Sequence, residues 1–227
     1  VSPGLGRVEL VHLAPDLPEQ RWPTAPACDH FEADRLGFQW NFLRTPREDF
    51  WSLAERPGHL RLHLRSQMIS KWENPSFVCR RQQHLSFAAR TVMEFTPQSV
   101  NEEAGLVLLQ NSDFQYRFVH TLTDGGAVVR LVKRAAGEEE VLAEKPVATE
   151  QLYMKVEAIE QEYSFYYATA AEAWVSLLEN ADGRILSTDV AGGFVGAYIG
   201  MYASGNGRPS RNVADFDWFE YGALPSA

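Results

Sequence analysis

The chain has 227 residues, 45% hydrophobic and 12% aromatic, enough to bury one substantial core as a single large domain. Its 21 basic and 30 acidic residues leave a net charge of -9, which repels phosphate backbones and anionic lipid and argues against nucleic acid as a partner. No apolar run approaches the ~20 residues of a membrane-spanning helix, and the Pro-rich start lacks the regions of a signal peptide.

A soluble chain is expected, with cytoplasmic and secreted locations both open. Val1 rather than Met stands first, which leaves a piece of a longer chain and a complete protein both open. Cys28 and Cys79 have no second Cys or His at zinc spacing and read as two isolated thiols, although a single disulfide stays open.

Five prolines (Pro3, Pro15, Pro18, Pro23 and Pro26) precede Cys28, a density that prevents regular helix and central strand. Residues 1–28 therefore read as a linker or strap from a preceding domain, 29–222 as the folded domain and 223–227 as a tail. From Phe31 onward the pattern is period-2 alternation between turn signals. Phe38, Trp40 and Phe42 alternate with Gln39 and Asn41, which predicts one strand face and a place in the core. Leu60, Leu62 and Leu64 alternate with His59, Arg61, His63 and Arg65, an apolar stripe under a polar one.

Similar runs follow at 77–87, 91–95, 105–110, 115–122, 127–133, 152–159 and 163–168. Breaks at Asn111-Ser112-Asp113, Asp124-Gly125-Gly126, Ala136-Gly137 and Ala181-Asp182-Gly183 predict hairpins. Residues 169–174 are Ala-rich but too short for a stable helix. Roughly a dozen strands exceed one open sheet, so the expected class is all-β, a two-sheet antiparallel β-sandwich of jelly-roll type.

Several spaced stretches carry a resemblance. They are Asp29-His30-Phe31-Glu32, then 36–46 (Leu-Gly-Phe-Gln-Trp-Asn-Phe-Leu-Arg-Thr-Pro), Trp51-Ser52-Leu53 and 56–62. Phe77-Val78-Cys79-Arg80-Arg81-Gln82-Gln83-His84 follows, then 192–201 (Gly-Gly-Phe-Val-Gly-Ala-Tyr-Ile-Gly-Met) and 214–221 (Ala-Asp-Phe-Asp-Trp-Phe-Glu-Tyr). Together, from Asp29 to Tyr221, they resemble the concanavalin A-like sandwich at the C-terminus of family 43 glycoside hydrolases, β-xylosidases and α-L-arabinofuranosidases.

The resemblance implies a division of labour. A five-bladed catalytic propeller on the same parent chain would supply the carboxylates, with inversion at the anomeric carbon. The sandwich would pack on it and shape its pocket for xylan- or arabinoxylan-derived oligosaccharides. By motif the reaching residue is Phe194, after two glycines, although Phe194-Val195 departs from the aromatic pair or Phe-Thr common there. The residues support this independently: glycines allow close approach, and an aromatic face complements the C–H face of a sugar. A ring folded into the core is the plain alternative. Relatives that form tetramers leave a homo-oligomer open.

Two further groups stand out. His59, Arg61 and His63, with Arg80 on a following strand, present planar donors suited to sugar hydroxyls or a docking partner, or else form a solvated sheet face. Asp29, Glu32, Asp215 and Asp217 would meet if the first and last strands pair. Related sandwiches carry structural calcium at such a place, with Glu32 and Asp217 the preferred ligands.

Two rivals remain. A free-standing carbohydrate-binding, lectin-like module would use the same fold. Asp215-Phe216-Asp217-Trp218-Phe219-Glu220 mimics the spacing of a jelly-roll glucanase strand, but strict alternation sends Glu220 to the opposite face from Asp215 and Asp217. No catalytic carboxylate pair is expected in the chain.

Overall fold

The computed structural model describes residues 11, 13–20 and 26–224. Fifteen strands follow in order: β1 (Cys28–Asp29), β2 (Asn41–Phe42), β3 (Trp51–Ser52), β4 (Leu60–His63), β5 (Ser76–Arg81), β6 (Phe87–Glu94), β7 (Glu103–Asn111), β8 (Phe114–Thr123), β9 (Gly126–Ala135), β10 (Glu138–Pro146), β11 (Gln151–Ile159), β12 (Glu162–Ala168), β13 (Val175–Asp182), β14 (Tyr198–Ser204) and β15 (Val213–Ala223). A 3-10 turn (Gly183–Leu186) and a one-turn helix α1 (Thr188–Ala191) separate β13 from β14.

The strands form two antiparallel sheets. One runs β13-β12-β11-β6-β15-β4-β3, with β1 also on β15, and the other β10-β9-β8-β7-β14-β5-β2. Alternation explains the sandwich. Leu60 and Leu62 of β4, Leu106 and Leu108 of β7 and Val156 of β11 are buried between the sheets with Phe87, Phe118, Phe165, Phe216 and Phe219. Each such side chain contributes ~1.5–3 kcal/mol relative to exposure. β14 lies close against β5 because Gly200 has no Cβ, which would otherwise collide with Val78 O and Cys79.

A second apolar cluster sits on the outer face of the β14-containing sheet. There Ile69 and Leu43, from the two long connections of the first half, pack near Phe77, Val107, Val119 and Tyr202. These connections, 43–50 and 64–75, thus lie across the sheet instead of extending it.

Several expectations are corrected. Phe38 is fully exposed in a turn, because β2 starts only at Asn41; Trp40 is buried, Phe42 half-buried. The run 77–87 breaks at 82–86 into β5 and β6, which lie in different sheets, and 91–95 continues β6. Residues 111–113, 124–126 and 136–137 do make hairpins. Ala181-Asp182-Gly183 does not: the Asp182 carboxylate accepts from Arg184 N and starts the 3-10 turn. β10 and β13 read too polar in sequence to be recognised, since both are edge strands.

The first strand, β1, starts at Cys28 and the last, β15, ends at Ala223. Of the Pro-rich segment, Pro3 and Pro23 lie outside the described residues, as do 225–227 of the tail; Pro15 and Pro18 are exposed and outside any strand. Cys28 and Cys79 are free thiols.

Candidate functional site

The loop between α1 and β14 carries Phe194, whose ring is fully exposed. Gly192 (φ 71°) and Gly193 (φ 79°) hold the left-handed backbone that turns the chain outward, a conformation costly for other residues. On one side of the tip, Asn111 Nδ2 donates to Ala191 O at 3.2 Å. On the other, Gln110 Nε2 donates to Val195 O at 2.7 Å and Arg81 Nη1 to Gly196 O at 2.9 Å. Gln82 N also donates to Ala197 O at 3.0 Å. The Arg81 guanidinium lies over the Tyr198 ring at 4.0 Å, fixing the donor that holds the loop. The result is an aromatic finger with a pinned base and a free tip.

Beside the finger is an open cavity of about 340 Å³, lined among others by Gln82, His84, Tyr163, Leu186 and Val195. Tyr163 donates its hydroxyl to Gln82 Oε1 at 3.0 Å, and burial pushes its pKa up to about 12. Tyr221 accepts from Gln83 N at 2.7 Å and His84 N at 3.1 Å, holding the chain as it leaves β5.

Around this end of β5 lie further exposed apolar side chains. Phe38 precedes β2, whose Asn41 faces Cys79, and Leu85 follows β5. β1 and the end of β15 come to the same rim, where Cys28 pairs with Glu220 and Leu224 N donates to Ser86 O at 3.0 Å. Phe38, Leu85, Phe194 and Val195 are thus exposed apolar side chains at the end of the sandwich where β2 and β14 begin and β5 ends, Leu85 and Val195 lining one cavity.

The polar stripe on β4 spends its donors internally. Arg61 binds Asp215 through Nε at 2.7 Å and Nη2 at 2.8 Å, and Arg56 Nη1 adds a third bond at 2.9 Å. His63 Nε2 pairs with Glu55 at 3.1 Å, while His59 Nδ1 lies 3.4 Å from Pro57 O. Burial raises the Asp215 pKa, but the bonds from Arg61 and Arg56 outweigh it and hold the carboxyl below its usual range. Arg80 does not join this stripe, because β5 belongs to the other sheet. It lies over Tyr221 at 4.4 Å and donates to Gln83 at 2.9 Å, and burial lowers its pKa.

The acidic group is divided. β1 does pair with β15, Asp29 opposite Phe219. The Asp29 carboxylate, however, accepts from Trp40 Nε1 at 2.7 Å, Phe31 N at 2.9 Å and Gln39 Nε2 at 3.2 Å. Asp215 is held by two arginines. Glu32 is exposed and Asp217 half-buried at a bulge, and among the described residues no group of three or more His, Cys, Asp or Glu could hold a metal ion. These four carboxylates do not fit one calcium site.

The same bulge corrects the parity argument against a glucanase. It falls between Phe216 and Trp218, resets the alternation and puts Glu220 on the face of Asp215. Glu220 is bound by Arg90 at 3.0 Å, so both carboxylates are occupied by guanidinium groups. Sequence reading missed Gln110, Asn111 and Arg81 as the base of the finger. Their signal was a polar pair ending an apolar strand.

Two packed antiparallel sheets with this strand order and a pinned loop at one rim define a concanavalin A-like sandwich. The chain belongs to the family described as beta xylosidase C-terminal concanavalin A-like domain, whose profile matches residues 28–222. It is 37% identical over 221 residues to the non-reducing end α-L-arabinofuranosidase BoGH43B of Bacteroides ovatus, covering 96% of this chain and 41% of that protein. A xylosidase/arabinosidase of Butyrivibrio fibrisolvens is 33% identical over 222 residues, 96% of this chain and 43% of the relative. The solved Bacteroides ovatus xyloglucan PUL GH43B superposes with a TM-score of 0.89 at 37% identity, covering 94% of this chain and 42% of that one. The chain thus spans about two fifths of the length of these relatives.

Proposed function

We propose that this chain is the non-catalytic sandwich of a glycoside hydrolase acting on xylan- or arabinoxylan-derived oligosaccharides, and that Phe194 narrows the sugar pocket of a catalytic propeller on the same parent chain. The carrying observation is the finger: a fully exposed ring on two left-handed glycines, with both flanks of its loop hydrogen-bonded to the sandwich. An isolated domain gains nothing from an apolar ring held in water. Against a sugar, the ring would cover a C–H face and exclude solvent from the cleavage site.

The exposed apolar side chains Phe38, Leu85 and Val195 support docking of the propeller at this end. The names of the relatives, arabinofuranosidase and xylosidase/arabinosidase, support the substrate class. Acid–base chemistry would belong to the propeller, since Asp215 and Glu220 here are held by arginines.

The test is Phe194→Ala in the full-length parent. A fall of about tenfold in kcat/KM on a disaccharide, with an unchanged melting temperature, is expected. Turnover and affinity both equal to the parent's would remove the finger role.

A further inference from the structure

We propose that the cleft between the 43–50 and 64–75 connections is a second carbohydrate subsite, taking a glycan that bears a hexuronate. It goes beyond the pocket-shaping role and shares no residue with the finger or its rim.

The cleft encloses about 580 Å³ and is lined by Trp72, Arg44, Arg47, Arg65, Gln67 and Asn74 among others. That size falls within the ~300–1,000 Å³ usual for small-ligand sites. Trp72 is 89% exposed, yet its ring is not loose. The Arg44 guanidinium lies over it at 4.7 Å. Arg44 is itself clamped, donating to the carbonyls of Lys71 and Glu73 and, at 3.4 Å, to Ser112 Oγ. One ring face is thus covered by a fixed cation and the ring borders the cleft. Such an aromatic plate is pre-ordered for the C–H face of a pyranose and loses little entropy on binding.

Charge sets the ligand class. Glu48 is paired with Arg65 at 3.3 Å, and Glu73 accepts from Met68 N at 3.1 Å. Arg47, exposed at the same cleft, has no hydrogen bond or ion pair among the described residues. The lining therefore holds one unspent guanidinium beside an aromatic plate. A guanidinium takes a carboxylate through two parallel hydrogen bonds, geometry that a neutral sugar cannot offer. A pyranose ring on Trp72 with its uronate carboxylate on Arg47 uses both features.

The experiment titrates the 227-residue chain by calorimetry with xylotriose carrying a 4-O-methylglucuronate branch, and separately with plain xylotriose. We expect the acidic probe to bind at least tenfold tighter, the margin shrinking as salt is added. Trp72→Ala should abolish binding. Arg47→Gln should reduce the acidic probe to the affinity of the neutral one. Neither change should alter the melting temperature, nor the parent's turnover of a short uncharged substrate, so failure here is separable from failure of the Phe194 role. No binding, equal affinity for the two probes, or binding unaffected by either variant would overturn the proposal. A lowered melting temperature of the parent with Trp72→Ala would overturn it too, by assigning the ring to an interdomain contact.

Discussion

Arg61 grips Asp215 with two parallel hydrogen bonds, Nε at 2.7 Å and Nη2 at 2.8 Å, across the β4–β15 register that sets the two residues opposite one another. Only 7% of the Asp215 side chain is exposed, so it needs its cations more than they need it: Arg61 and Arg56 keep 24% and 31% of theirs in contact with water. Asp215→Asn should lower stability by about 2–3 kcal/mol, read by urea unfolding. The folded pKa lies below the usual 3.8, so this stability is present above pH ~4 and is lost as pH falls through the folded value. A loss under 0.5 kcal/mol would show that the network contributes only surface pairing.

The sandwich itself was legible in the sequence, because a strand that buries one face must alternate, and Leu60 and Leu62 against Arg61 and His63 do. Edge strands β10 and β13 were not, since an edge is free to be polar on both faces. Bulges were equally hidden: one extra residue at Asp217 moved Glu220 to the face opposite the one that alternation predicts. Buried ion pairs leave no such pattern either: Arg117 of β8 is only 8% exposed and pairs with Glu139 at 2.8 Å and Glu103 at 3.2 Å. The two glycines before Phe194 are plain in the sequence and its ring is exposed, whereas the residues that hold its loop, Arg81, Gln110 and Asn111, lie far from it along the chain.

The finger should separate backbone strain from ring chemistry. Gly193 has φ 79° and open space around a Cβ, so Gly193→Ala costs only the backbone term, about 1–2 kcal/mol. Phe194→Ala, removing a ring that touches solvent, should change stability by less than about 0.5 kcal/mol. Thermal melts of the isolated chain check both. A stability loss with Phe194→Ala above that of Gly193→Ala would mean that the ring folds back onto the sandwich.

His120 should make the chain acid-sensitive. It is buried on β8 with its ring edge-on to Phe95 at 6.0 Å, and burial lowers its pKa from the usual 6.5. Between 6.5 and the lower folded value, the unfolded chain binds the proton that the folded chain refuses. The contribution is therefore complete above pH 6.5 and declines as pH drops below it, at no more than ~1.4 kcal/mol per pH unit. Unfolding at pH 8 and pH 5.5 should show this loss, and His120→Gln should lose less between the same two pH values. Equal losses would exonerate this histidine.

Metal removal separates the carboxylates from the resemblance that groups them. A hard divalent ion of calcium's size takes six to eight oxygens, several of them anionic. Here Asp29 is consumed by Trp40, Gln39 and the Phe31 amide, and Asp215 by Arg61 and Arg56, leaving Glu32 exposed and Asp217 half-buried on a bulge. Two carboxylates would have to recruit the remaining ligands from backbone carbonyls and water, which points to weak binding at most. Melting in excess EDTA and in millimolar calcium should therefore agree within about 1 °C, since a ligand well below its dissociation constant adds almost nothing to stability. A rise of several degrees with calcium, lost in both Glu32→Ala and Asp217→Ala, would instead place a structural ion between β1 and β15.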